Sequence, residues 1–306
     1  MGEKEELKRQ QDLGQFFTPQ AVVEFIYDML KVQIDKEKKW KERTHYPSII
    51  DPACGEGVFL KVALDKEITQ PKYVFGIDLD DRVKEKWEKI TLLKAFGSRV
   101  QLDLHFYHQN GLLPLPKKTL RYKTGGLNEY DLVVGNPPYG GVGLQEITPV
   151  LQDALLEYEI WRRALKESNG DQYSLSLEDG TPEILGKKRE ERLKKYPIEI
   201  LFVEQFIKLA KPNGHIAIII PDGILSNSNL HYVRKFIAEK TKINGIVSLP
   251  RGTFKESGTS AKTSILFLTK LKENETISLD YRVFLASVER IDYLYVVSKA
   301  FKEAKL

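Results

Sequence analysis

A single cysteine, Cys54, leaves no partner for a disulfide and too few thiolates for a structural zinc site. No apolar run approaches the ~20 residues of a membrane-crossing helix. The first nine residues, Met1-Gly-Glu-Lys-Glu-Glu-Leu-Lys-Arg9, are charged and carry no apolar signal segment. Together these absences point to a reducing cytoplasm. Neither sign of charge dominates: the formal net charge is +4, which permits nucleic-acid binding without demanding it. Histidine is also scarce, with five in the chain. His105 and His108 sit near a strand end, and no third ligand stands at metal-binding spacing from them. We find no internal repeat and no low-complexity tract. What remains is an ordinary globular composition in 306 residues, 42% hydrophobic and 29% charged. That length suits one large α/β domain, with or without a small appendage.

Val22, Phe25, Ile26, Met29 and Leu30 recur at helical spacing, so a helix starts near Pro19 with Thr18 as its N-cap. Short apolar or β-branched runs follow at 48–51, 73–78, 101–107, 131–135, 215–221, 244–249 and 263–269. Helical patterns separate most of them, at 58–64, 82–95, 198–209 and 230–239. Strands alternating with helices predict a mostly parallel sheet covered on both faces. From Gln145 to Tyr196 the rhythm breaks: the chain is polar and helix-prone, with a charge run from Lys187 to Lys195. This reads as a helical, mobile insertion after the fourth strand, spanning 141–197, and its charge run as a solvated helix face. Residues 1–46 read as an N-terminal helical arm.

Asp51-Pro-Ala-Cys-Gly-Glu-Gly57 follows the first strand and opens a helix. Gly55 and Gly57 allow a sharp turn that brings main-chain N–H groups close to a ligand. Asp78 ends the second strand, about 20 residues on, the spacing at which an acid accepts from ribose hydroxyls. Alone, Gly-x-Gly would be only a tight turn; with Asp78 it reads as a cofactor site. The loop lacks both Gly-x-Gly-x-x-Gly and a P-loop lysine. Its acids, Asp51 and Glu56, would repel pyrophosphate but suit a ligand bearing an ammonium and a sulfonium. That selects S-adenosylmethionine over a dinucleotide or ATP.

Asn136-Pro-Pro-Tyr139 follows the strand at 131–135. The lone pair of an adenine or cytosine amino group is delocalised into its ring, which makes it a poor nucleophile. The Asn136 side-chain oxygen and the Pro137 carbonyl can accept its two protons and draw the nitrogen towards tetrahedral geometry. Pro137 and Pro138 stiffen the loop that aims this carbonyl. Tyr139 offers a face for an extruded base. A rigid turn with a buried tyrosine is the bland alternative.

In order, Gly14-Gln-Phe-Phe-Thr-Pro19, Asp51-Pro-Ala-Cys-Gly-Glu-Gly57, Asp78 and Asn136-Pro-Pro-Tyr139 resemble the motifs of the gamma-group amino-DNA (adenine N6) methyltransferases. These include the modification subunits of type I restriction-modification systems. His215–Leu225, Leu249–Phe254 and Thr263–Leu268 are similar to that group too. The resemblance covers nearly the whole chain except the insertion. It implies a doubly wound, mostly parallel seven-stranded sheet of the class I S-adenosylmethionine-dependent methyltransferase type. It implies methylation of a flipped base in double-stranded DNA. Gln15, Phe16, Phe17 and Thr18 would line the methionine end of the cofactor, with Ala53, Gly55 and Gly57 in its loop. Asp51 would hold the ammonium, and Ile77 or Leu79 would flank the adenine. Phe254 would pack on the base opposite Tyr139; closing a core edge is the equal alternative.

The chain departs from that group in three ways. Asn110 stands where an acid often contacts the cofactor adenine; its amide oxygen can still accept. Only 13 residues precede Gly14, and the chain ends soon after the last core strand. The expectation is therefore a fragment, or a methylase that relies on a specificity subunit or a further target-recognition region. A protein-glutamine or RNA N-methyltransferase is the first rival reading, since an amide or base amino group poses the same acceptor problem. A non-catalytic module of a larger assembly is the second. Cys54 lies inside the cofactor loop, which argues against a thiolate attack on cytosine C5. Adenine N6 and cytosine N4 both stay open.

Overall fold

Isoleucine and valine fill the central strands, and their alternation sorts them onto two faces. Along β5 (Ala210–Pro221), Ile216, Ile218 and Ile220 join one buried cluster, while Ala217 and Ile219 join another. These isoleucines are at most 1% exposed, and burying each contributes about 1.5–3 kcal/mol. A strand apolar on both faces needs helices above and below it, and both layers are present.

The computed structural model describes residues 17–36, 46–80, 82–83, 106–114, 130–139, 149–167, 195–255, 259–278, 280–290 and 298–299. The other strands are β1 (Ile49–Asp51), β2 (Val74–Asp78), β3 (Phe106–His108), β4 (Tyr130–Gly135), β6 (Thr241–Ser248), β7 (Thr263–Lys270), β8 (Phe284–Val288) and β9 (Ser298–Lys299). Among the described residues they form one nine-stranded sheet, ordered β3-β2-β1-β4-β5-β7-β6-β8-β9. β1 to β5 pair in parallel; β7 runs antiparallel to both β5 and β6. The expected seven strands make up the sheet from β3 to β6, and two more extend it beyond. β8 pairs parallel to β6, and β9 antiparallel to β8.

One layer holds α1 (Gln20–Lys36) and α2 (Val58–Asp65). The opposite layer holds α3 (Pro149–Leu156), α4 (Glu159–Glu167), α5 (Ile198–Leu209) and α7 (His231–Lys240). The short α6 (Asp222–Ser226) follows β5. α1 starts one residue later than expected: the Val22 and Val23 N–H groups both reach the Pro19 carbonyl. No helix among the described residues is long and apolar enough to cross a membrane.

The insertion expected to be mobile is, over 149–167, built into the core. Leu151, Leu155, Tyr158, Ile160 and Trp161 are all buried, in the same cluster as α5 and α7. The physical reason is a buried carboxylate. Glu204 of α5 accepts from the Glu159 and Ile160 N–H groups at 2.8 and 2.7 Å, satisfying orphan donors at the start of α4. Arg163 and Lys240 add ion pairs between α4 and α7. The remainder of the insertion described here is 195–197; its charge run up to Lys194 lies outside the described residues, as do most of 82–95 and 101–105.

β1 sits between β2 and β4, and the chain runs outward from it first one way and then the other. Such a reversal opens a crevice at the carboxyl ends of the strands. Asp51 ends β1, Asp78 ends β2 and Asn136 follows β4, so all three stand at that crevice.

Candidate active site

The loop after β1 is drawn tight by its neighbours. The Cys54 N–H donates to the Ile77 carbonyl at 2.9 Å, and the Gly57 N–H to the Cys54 carbonyl at 2.8 Å. Gly55 and Gly57 take φ values of 48° and 79°, in the left-handed region where a side chain is strained. Gly57 is also the N-cap of α2. The sharp turn expected from this sequence is therefore present.

Asp51 is 1% exposed, and its Oδ1 accepts from the Ala53 N–H at 3.0 Å. Burial pushes its carboxyl well above the usual carboxylate range; the Ala53 N–H opposes this and the nearby Asp78 charge adds to it. Tyr27, fully buried on α1, feels the same carboxylate: burial first, and the Asp51 charge second, hold its hydroxyl protonated. Sequence reading passed over Tyr27 because it sits on the apolar stripe of α1 and looks like packing.

Asp78 has two structural tasks. Its Oδ2 accepts from the Gly55 N–H at 2.7 Å and its Oδ1 from the Asp80 N–H at 2.8 Å. Burial raises its carboxyl above the usual range, against the pull of these N–H groups, and the Asp80 carboxylate adds to the rise. Asp78 thus pins the glycine loop to β2, a role that its spacing alone did not reveal. Beyond it, Leu79 is more than half exposed while Ile77 is fully buried. Of the two candidates to flank a ring, the structure leaves Leu79 at the surface.

Asn110 forms a turn rather than presenting an open amide. Its Oδ1 accepts from the Leu112 N–H at 2.9 Å, and its carbonyl from the Leu113 N–H at 3.0 Å. One further lone pair on that oxygen remains for another donor.

Asn136 Nδ2 donates to Thr18 Oγ1 at 3.1 Å, joining the Asn-Pro-Pro-Tyr loop to the start of α1. Phe17, next to Thr18, is 44% exposed, so it is not a core residue. Gln15 and Phe16 lie outside the described residues. Tyr139 is fully buried; burial raises its phenol, and the neighbouring Asn136 side chain opposes the rise. Phe254, from the turn after β6, meets it edge to face, with ring centroids 6.3 Å apart at 79°. The two rings expected on opposite sides of a base are thus in direct contact with each other. Both are buried, so a base could enter only as this contact opens.

Gly135 joins the two halves of the site. A Cβ there would lie 2.5 Å from Asp51 Oδ1 and 3.1 Å from the Phe206 ring. The residue before Asn136 is therefore packed against the Asp51 carboxylate. We expect Gly135→Ala to lower stability by about 1–3 kcal/mol, as overpacking does. Thermal melting checks this; an unchanged melting temperature would show that Asp51 can move aside.

Strand order, the glycine loop and the acid-tipped strands make this the class I S-adenosylmethionine-dependent methyltransferase fold. A putative methyltransferase of that class from Listeria monocytogenes has the same fold, with a TM-score of 0.55 at 22% identity over 89% of this chain and 65% of that one. So has a modification subunit of a putative type I restriction enzyme from Vibrio vulnificus, with a TM-score of 0.55 at 17% identity over 96% of this chain and 51% of that one. The pattern of the N-6 DNA methylase family matches residues 5–173 and 187–294, and the chain belongs to that family. It is 24% identical over 270 residues to the type I restriction enzyme EcoEI methylase subunit of Escherichia coli, covering 84% of this chain and 42% of that relative. The chain thus spans less than half the length of that relative.

Proposed function

We propose that this chain is the catalytic part of an adenine-N6 DNA methyltransferase of a restriction-modification system, using S-adenosylmethionine. The observation that carries this reading is the contact between Gly135 and Asp51. It sets an acceptor-bearing, proline-stiffened loop directly beside a buried acid at the crevice.

The residues present fit the cofactor. Asp51 is a buried acid whose charged form wants a cationic partner, which the ammonium would provide. The glycine loop offers close approach, and Phe17 and Leu79 offer exposed apolar surface beside it. Gly55, Gly57 and Ala53 would line the loop, with Asp78 turned to the ribose and Asn110 to the adenine. When bound, the cofactor supplies an electrophilic methyl group on its sulfonium.

The chain's own work is on the amino group. The Asn136 Oδ1 and the Pro137 carbonyl accept hydrogen bonds from its two N–H groups, and Pro138 holds the crease rigid. The contact between Nδ2 and Thr18 holds the Asn136 side chain against the start of α1, with Oδ1 left for the amino group. Tyr139 and Phe254 part to take the extruded base between them. Partners of this reading are double-stranded DNA and a specificity subunit, or a target-recognition region elsewhere, since phosphate contacts alone read no sequence. A protein-glutamine or RNA acceptor remains the rival, favoured by the generality of the acceptor pair.

Methyl transfer from labelled cofactor to DNA, RNA and protein acceptors separates these readings. Label is expected in DNA, as N6-methyladenine on nucleoside analysis. Label on protein or RNA alone would overturn the DNA assignment, and N4-methylcytosine would overturn the base.

A further inference from the structure

The turn after β3 is held from the side by α5 and by Tyr158, the residue before inserted helix α4. Gln205 of α5 donates from Nε2 to the Gly111 carbonyl at 2.8 Å. Tyr158, which opens α4, places its hydroxyl 2.8 Å from the Leu112 carbonyl and 2.6 Å from Gln205 Oε1. One phenolic proton is shared between those two oxygens. Two consecutive carbonyls of the turn are thus held by two side chains that also bond to each other. Tyr158 is 2% exposed and Gln205 1%, so water does not compete for these bonds.

The other side of the turn is equally constrained. A Cβ on Gly111 would lie 1.9 Å from the Pro52 carbonyl, so the backbone at 111 presses on the Asp51–Gly57 loop. The Gln109 N–H donates to the Asp78 carbonyl at 3.0 Å, tying the entry of the turn to β2. Contact therefore runs without a gap from α4, through Tyr158 and Gln205, to Gly111 and Pro52. The same α4 belongs to the segment that follows Tyr139 in sequence.

We propose that Tyr158 and Gln205 are positioning residues for the cofactor: they set the 109–113 turn against the Pro52 carbonyl and make inserted helix α4 part of the framework of the cofactor site. This rests on the reading that Asn110 and the glycine loop bind S-adenosylmethionine. Neither side chain touches the cofactor. Each acts through the backbone it holds.

The test uses the full chain and S-adenosylmethionine. Tyr158→Phe keeps the ring and removes the bonds to Leu112 and Gln205; Gln205→Met keeps the volume and removes the bond to Gly111 together with the acceptor for Tyr158. Each is expected to weaken cofactor binding by calorimetry about 3–10-fold, the scale on which buried hydrogen bonds contribute. In methyl transfer, KM for the cofactor should rise by the same factor with kcat at saturation within about twofold, because the reacting atoms are untouched. Trp161→Phe, on the same helix, loses buried packing without touching the turn and should leave cofactor affinity unchanged. Hydrogen exchange on the unaltered chain gives a reading that needs no variant: cofactor should slow exchange at 110–113 and at 158–162 together. Unchanged affinity in both turn variants, an equal loss in Trp161→Phe, or cofactor protection confined to 110–113 would overturn the inference while the functional reading stands. An unaltered chain that binds no cofactor would sink both.

Discussion

Asn136→Ala is expected to cut methyl transfer about 10²–10³-fold while leaving cofactor affinity within about threefold, the loss seen when one preorganised group facing developing charge is removed. The amide oxygen acts on the amino group only as that nitrogen gives up its ring conjugation, so its removal weakens the transition state more than any bound ground state. Its nitrogen is already committed to Thr18, which fixes the side chain before a base arrives. The variant loses that bond as well, but Thr18 stays anchored by the helix it precedes. Initial rates at saturating cofactor, paired with calorimetric titration, separate the two effects. Asp78→Ala should give the opposite pattern, since it releases the Gly55 N–H and loosens the cofactor loop. Equal loss of affinity in both variants would break this division of labour.

Asp51→Asn should make the resting protein more stable and nearly unable to bind cofactor. The Asp51 carboxyl is buried, and its affinity for a proton is raised by that burial above its value in the unfolded chain. For an acid shifted this way, the folded state favours the protonated form. The associated stability is full below the unfolded pKa and is lost as pH rises through the folded one. Near pH 7.5 the unaltered chain therefore carries a penalty that an amide lacks, and the Asn side chain can still accept from Ala53. The melting temperature should rise by about 2–4 °C. That advantage should shrink as the pH falls towards about 4, where the unfolded carboxyl also takes up its proton. Cofactor affinity should drop about 100-fold or more, the effect of removing one partner of a buried charge pair. Melting curves across pH, beside calorimetry, check both halves. An Asn variant that melts lower at neutral pH and binds undiminished would show that the carboxylate serves only the fold.

Much of this arrangement was legible in the residues. The β-branched runs at 48–51, 73–78, 131–135, 215–221 and 263–269 all became strands, because fully buried strands leave a continuous apolar signature. Helices at 58–64, 198–209 and 230–239 kept their expected places to within a residue or so. β8 was missed: Phe284–Val288 is half-buried and shows no clean alternation. The burial of α3 and α4 was missed because Glu204 looks like an ordinary surface acid until the start of α4 is brought to it. At the site, Asp51, Asp78, Asn136 and Tyr139 announced themselves by residue type and spacing, and Phe254 by the resemblance to the gamma group. Gly111, Gly135 and Tyr27 did not, since each owes its role to a neighbour remote in sequence. A pattern along the chain records what a residue can do; closeness across the sheet decides what it is needed for.

Leu151, Leu155, Ile160 and Trp161 share a core with α5 and α7. Anyone shortening this chain to a minimal methylase by deleting residues 149–167 would therefore lay bare a broad oily flank on those two helices. Such a trimmed product would be expected to clump in solution, so a polar stretch of sequence is here a poor guide to what can be cut away.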